Sequence, residues 1–403
     1  MTRFPSAQTG RLVRRWFGAL GLSLLTAVAL NACGGGGDVA GVGSGGTGSF
    51  SVGTITGFGS VFVNGQRYDD GGASVSDEDG PRSRADLRLG MVVTVQASVS
   101  ASGSATASSI VFDSELLGPV DIGSANPGGK SFAILGQKVI VAASTVFDPQ
   151  LPLGLSSIRE GQTLEVHGYV NPLANELQAS FISPANGAAK YKISGTVTGL
   201  QTGARTFRIG AVTVSYAGLD GSGVAPGLAD GVLVKVRLAP GGPTAAGMRQ
   251  ATALRLNNAI VADRPSAEVE GLITSFTSAS RFNVGPIPVD ARNANFSGAT
   301  TGLGLGARVA VKGAVSAGTL VAREVKLEDP KADVQIELEG AVSALDKAAK
   351  TFALRGVTVS YAGAVQYKKG GQADLRDSAK VKVKGQVSPN GAVVDASQIE
   401  FDD

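Results

Sequence analysis

The chain has 403 residues, 43% apolar, 5% aromatic and 17% charged, with a formal charge of +3, one cysteine and one histidine. That apolar content excludes a disordered polypeptide, and the length favours several small cores over one large one. Residues 1–32 hold Arg3, Arg11, Arg14 and Arg15 and no acid, so the remainder carries 32 basic against 33 acidic residues, which removes any general electrostatic pull toward nucleic acid or anionic lipid.

In chain order, residues 1–32 read as a signal peptide. Arg11, Arg14 and Arg15 form a positive opening, and the apolar stretch from Phe17 to Leu30 is short for a bilayer span. The tetrapeptide Leu30-Asn31-Ala32-Cys33 resembles the bacterial lipobox. The resemblance implies removal of the preceding peptide, diacylation of Cys33 and a membrane anchor through that lipid. Cys33 is the only cysteine, so no internal disulfide competes for it. Each acyl chain buries about 0.8 kcal/mol per CH₂, so several together hold where one does not. In lipoproteins of this kind an Asp after the anchor cysteine tends to retain the protein at the inner membrane. Gly34 stands there instead, so an outer-membrane lipoprotein of the cell envelope is expected. Arg14-Arg15-Trp16-Phe17 meets a twin-arginine pattern only in part. Residues 33–50 follow as a glycine-rich tether, with nine glycines between Gly34 and Gly48 and little to pack.

Beyond the tether one order of elements recurs five times, giving units at 51–115, 116–186, 190–262, 266–329 and 334–403. Gly53, Gly118, Gly195, Gly271 and Gly340 open them, 65 to 77 residues apart. Ala107, Ala179, Ala253, Ala322 and Ala396 close them, each three residues before an aliphatic side chain. Thr206–Gly218 and Thr351–Gly363 align almost residue for residue around Phe207 and Phe352, and Phe62, Phe132 and Phe282 are assigned to the same position. Alternation as in Val381-Lys382-Val383-Lys384 is that of strands, and Asn64-Gly65 and Asn390-Gly391 read as tight turns. Short stretches such as Arg84 to Leu89 and Leu155 to Glu160 suit a helical turn.

Each unit therefore reads β-β-β, a short link, then β-β, which is the order of the OB-fold. The expected fold class is all-β: a tandem array of five small OB-like Greek-key β-barrels after a signal peptide and tether, with an open β-sandwich as the alternative. The opening glycines are expected to sit at bulges that coil the first strand. Short joints make the array a string that reaches about 140 Å end to end.

The run Gly53-Thr54-Ile55-Thr56-Gly57-Phe58-Gly59-Ser60-Val61-Phe62-Val63-Asn64-Gly65 resembles the opening signature of a bacterial domain of unknown function, numbered fifty-six sixty-six. Its members are often exported and carry the domain in tandem. The first unit matches best. The second departs at Pro119, and the fifth at Ser378, where the others have Gly90, Gly161, Gly231 or Gly306. The resemblance implies no catalytic residues.

Chemistry is sparse. His167 stands where other units have Lys312 and Lys384, so a solvent-facing strand end is expected. Asp77-Glu78-Asp79-Gly80 reads as a solvated acidic loop, its spacing failing an EF-hand pattern, and no metal or other cofactor is expected. Lys368, Lys369, Arg376, Lys380, Lys382 and Lys384 make the last unit basic, but base stacking needs exposed aromatics, so no nucleic-acid partner is expected. Gly302-Leu303-Gly304-Leu305-Gly306 precedes a strand and offers no helix N-terminus to a phosphate. Tyr216 and Tyr361, at equivalent strand ends, are the candidate ligand-binding residues for a glycan or small molecule. The expectation is a non-enzymatic, lipid-anchored envelope protein acting as scaffold, spacer or adhesion surface for an envelope protein. Its alternative is a glycan or small-ligand binder using an OB-like face or an inter-barrel cleft.

Overall fold

The computed structural model describes residues 47–220, 223–224, 226–257, 261–298, 301–329 and 334–402. Cys33, the signal peptide and most of the tether lie outside them. The described residues are all-β, with helix confined to short 3₁₀ turns such as Arg84–Asp86, Gly154–Ser157 and Gln372–Asp374. The first two fall where short helical stretches are expected.

The first unit contributes β1 (Thr47–Phe58), β2 (Val61–Val63), β3 (Gln66–Asp69), β4 (Ser74–Asp77), β5 (Gly80–Arg82), β6 (Val92–Val99) and β7 (Ala105–Phe112). The second has β8 (Leu116–Pro119), β9 (Ser131–Ile134), β10 (Gln137–Phe147), β11 (Thr163–Asn171) and β12 (Glu176–Pro184). The third has β13 (Tyr191–Gln201), β14 (Thr206–Ile209), β15 (Val212–Ser215), β16 (Leu233–Leu238) and β17 (Met248–Leu256). The fourth has β18 (Arg264–Ser278), β19 (Arg281–Val284), β20 (Ile287–Asp290), β21 (Asn295–Ser297), β22 (Arg308–Ser316) and β23 (Thr319–Leu327). The fifth has β24 (Gln335–Ala341), β25 (Ser343–Asp346), β26 (Thr351–Leu354), β27 (Val357–Ser360), β28 (Gln366–Lys368), β29 (Lys380–Val387) and β30 (Val394–Phe401).

Ten of these strands close into two five-stranded barrels. In one, β13 pairs with β14, β14 with β15, β15 in parallel with β17, β17 with β16, and β16 with β13. In the other, β9, β10, β12, β11 and β8 pair in that order, and a Val120–Ile134 bridge completes the ring. Both rings run first, second, third, fifth, fourth strand, the order of an OB-like Greek key. The remaining twenty strands form one continuous hydrogen-bonded sheet in which the same order of pairings recurs through β1–β7, β18–β23 and β24–β30.

The units do not form a string. First strands pair with one another across units. β1 runs antiparallel to β6 along Thr47–Thr54 on one edge, while its hairpin with β2 covers only Ile55–Gly57 on the other. Each edge therefore keeps a bare backbone stretch, whose N–H and C=O groups need partners. Ser49–Val52 finds them in parallel on Ser266–Val269 of β18, and Gly57–Phe58 on Glu337–Leu338 of β24. Likewise Leu116 and Leu117 of β8 pair with Ile193 and Lys192 of β13. The strand begins at Thr47, so the last residues assigned to the tether are already in β1.

Apolar burial follows this interlocking. One cluster spans the first and fifth units, from Ile55 to Phe401, and also takes in Phe181 of the second. Another spans the second and third, and the last fills the fourth with Phe50 of β1.

Two local expectations are corrected. The core position occupied by Phe132, Phe207, Phe282 and Phe352 lies three residues before a left-handed turn residue: Leu135, Gly210, Gly285 and Arg355, with φ of 52–55°. In the first unit that turn residue is Asn64 (φ 54°), so the core position is Val61, and Phe62 is turned to the other face. The opening glycines are not bulge sites either. They leave room for a neighbouring side chain: a Cβ on Gly53 would stand 2.0 Å from Asn64 Oδ1, and one on Gly195 2.3 Å from an Ile209 methyl. The bulges fall later, for example between Lys312 and Gly313.

Candidate functional site

The sequence-derived candidates are mostly absorbed by packing. Tyr216 and Tyr361 are 5% and 4% exposed. Their rings lie 5.8 Å from Phe207 and 6.0 Å from Phe352, and the Arg205 guanidinium stacks 5.5 Å from the Tyr216 centroid. Neither presents a face to a sugar. Cys33 lies outside the described residues. Gly302 and Gly304–Gly306 sit in turns before β22.

His167 is a correction. It stands away from the barrel core at a β-bulge of β11, as the strand alternation implies, but that outward side is covered. It is 1% exposed, packed between Phe112 of β7 and Phe181 of β12 at ring separations of 6.3 and 5.8 Å. Neither ring nitrogen has a hydrogen-bond partner. Burial holds its pKa below the usual value; Glu165 and Asp113 oppose that shift, while Lys192 and Lys235 reinforce it.

The acidic loop is corrected as well. Asp77 closes the β4–β5 hairpin, accepting from the Asp79 and Gly80 N–H groups and from Arg82. The tip then reaches the third unit. Glu78 meets Lys192 at 2.5 Å, and Asp79 meets Arg237 at 2.7 Å and also Lys190. Beneath it, Asp113 bridges Lys192 and Lys235 at 2.7 Å each, and Glu115 meets Lys235 at 3.1 Å. Burial alone raises the Asp113 carboxyl, but the Lys235 and Lys192 ammonium groups outweigh it and hold it low. Desolvation likewise lowers Lys235, and Glu115 and Asp113 more than reverse it. These residues form a largely buried ion-pair hub joining the first and third units. In the last unit Lys382 and Lys384 pair with Glu339 and Glu337 across β24 and β29.

A second polar centre, missed by sequence reasoning, joins the first, second and fourth units. Arg308 donates from Nε and Nη2 to Glu270 Oε1 at 2.9 and 2.5 Å, and its guanidinium stacks 5.1 Å from the Tyr169 centroid. The Tyr169 hydroxyl hydrogen-bonds Thr54 Oγ1 at 3.0 Å, and burial pushes its pKa up. Nothing repeated marks these residues, because the centre exists only where three units meet.

Around that centre the curved outer faces leave hollows. One of about 360 Å³ is walled largely by apolar groups from the first four units. A second, about 180 Å³, shares Tyr169 and Glu270 with it. A third, polar and about 410 Å³, shares Thr56, Ser144, Arg308 and Val334 with the second. A fourth of about 320 Å³ opens over the ion-pair hub. Among the described residues no group of three or more His, Cys, Asp or Glu is placed to hold a metal. The charged centres here are paired to each other, and the one histidine is walled in.

A solved structure of drosophila Unr CSD456 is similar at 14% identity, covering 54% of this chain and 99% of that chain with a TM-score of 0.14. No curated protein matches the chain. Residues 118–183, 270–326 and 339–400, in the second, fourth and fifth units, each match the family described as Domain of unknown function (DUF5666), so the similarity recurs in tandem.

Proposed function

We propose that the chain is a non-enzymatic cell-envelope lipoprotein, anchored through Cys33. Its five OB-like Greek-key barrels act together as one rigid scaffold that presents an interaction surface to an envelope protein. The observation that carries this reading is the pairing of β1 with both β18 and β24, which ties the first, fourth and fifth units through backbone hydrogen bonds. A scaffold needs fixed distances between attachment points, and backbone pairing between units supplies them. A long flexible spacer needs the opposite. The glycine-rich run from Gly34 to Gly48 gives the needed freedom at the anchor end, and Gly34 favours delivery to the outer membrane. Sequestered tyrosines, a walled-in histidine and mutually paired charges support binding over bond-breaking chemistry.

The reading is tested by in-cell crosslinking of the full chain beside its Cys33→Ser form. It predicts acyl label and membrane partitioning only with Cys33, together with discrete crosslinked products to envelope proteins. Membrane partitioning and acyl label in Cys33→Ser contradict the anchor. A membrane-bound chain that yields no protein crosslink contradicts the scaffold.

A further inference from the structure

We propose that the 360 Å³ hollow where the first four units meet is a binding site for a small apolar molecule that carries one hydrogen-bond donor. This goes beyond scaffolding, and neither role depends on the other.

The volume lies within the roughly 300–1,000 Å³ range of small-molecule sites, and about 30 Å³ suffices for one water. The walls are apolar where a barrel exterior should be polar. Val111 of β7 points outward, one residue after the core residue Ile110. At the same position the other units carry Ser183, Arg255, Lys326 and Glu400. Val111 nevertheless remains 39% exposed and lines the hollow, so packing between units has not consumed it. Phe50, Val52 and Val170 add apolar wall from β1 and β11.

The polar signal is as specific. Glu115 lines the same hollow and accepts from Lys235 Nζ at Oε1, while its Oε2 is buried without a hydrogen-bond partner. A buried acceptor left unpaired costs about 1–3 kcal/mol, more if charged, and a ligand donor removes that cost. An apolar body with one hydroxyl or amine satisfies both features. An anionic ligand does not, because it would face Glu115 and Glu270.

The test uses the full chain with Cys33→Ser, purified without detergent, and 1-aminoanthracene, an apolar ring system with one amine whose fluorescence rises on leaving water. Saturable one-to-one binding is expected. Val111→Lys, a residue the fold already carries at Lys326, is expected to abolish it with the thermal midpoint little changed. Val52→Trp, which fills the hollow, is the second variant, and Glu115→Gln is expected to weaken binding about tenfold or more. No saturable signal, or undiminished binding in folded Val111→Lys or Val52→Trp, overturns the site. Undiminished binding in Glu115→Gln overturns the donor contact.

Discussion

His167 is a neutral imidazole held between two phenylalanines at the joint of the first two units. Charged groups act on it through space: Glu165 on its own strand, Asp113 beyond β7, Lys192 on β13 and Lys235 on β16. Burial disfavours the imidazolium, so the folded state takes up this proton only below the pH at which the unfolded chain does, near pH 6.5. Stability from this residue is therefore fully present above about pH 6.5 and is lost as pH falls through that value toward the folded pKa. Urea unfolding at pH 7.5 and pH 5.5 should show a loss of stability in wild type that is smaller in His167→Leu, where carboxylate titration remains but the imidazole does not. Equal losses in both proteins contradict this role. A similar contrast holds for lysines. Lys192 is 4% exposed between Glu78 and Asp113, so Lys192→Met strands buried carboxylates and should cost about 3–5 kcal/mol. Lys312, 52% exposed beside Glu268, should cost about 1 kcal/mol or less on the same change. Denaturant titration of the two variants measures the difference.

Strands were legible because glycine, aliphatic and alanine positions recur at fixed offsets, and the closing Ala-x-x-aliphatic pattern lands in the core in four units, from Ala107 and Ile110 to Ala396 and Ile399; in the third the buried pair is Ala251 and Leu254, two residues before the expected Ala253 and Leu256. Register was less so. Counting back from Asn64-Gly65 places Val61 inside, whereas matching by residue type selects Phe62 and slips one residue. The cross-unit contacts left no pattern at all, since pairing through backbone groups asks little of side chains. Its one trace is glycine. A Cβ on Gly57 would stand 2.1 Å from the Glu337 carbonyl oxygen at the crossing of β1 and β24. Gly57→Val should therefore separate those strands and cost about 1–3 kcal/mol or more. Hydrogen exchange should report the change at Gly57 and Leu338 first, leaving the β13–β17 barrel protected. Uniform loss of protection across both regions contradicts that assignment.

At the scale of the molecule, repeated residues build the units and unrepeated residues join them. Glu78, Lys192, Glu270, Arg308 and Tyr169 have no counterparts at equivalent positions forming the same contacts, because each lies on a face that meets a different neighbour. Sequence periodicity describes one unit at a time, so it placed His167 outward correctly and had no means of naming what covers it. The same limit turned an interlocked body into an expected string. The two arrangements differ greatly in size. A compact body of residues 47–402 has a radius of gyration of about 20 Å, whereas five units end to end over about 140 Å give roughly 40 Å. Small-angle X-ray scattering of the Cys33→Ser chain decides between them. A value near the compact figure, with only a small tail from the N-terminal segment, is what the β1–β18 and β1–β24 pairings predict. A value near the extended figure would contradict them.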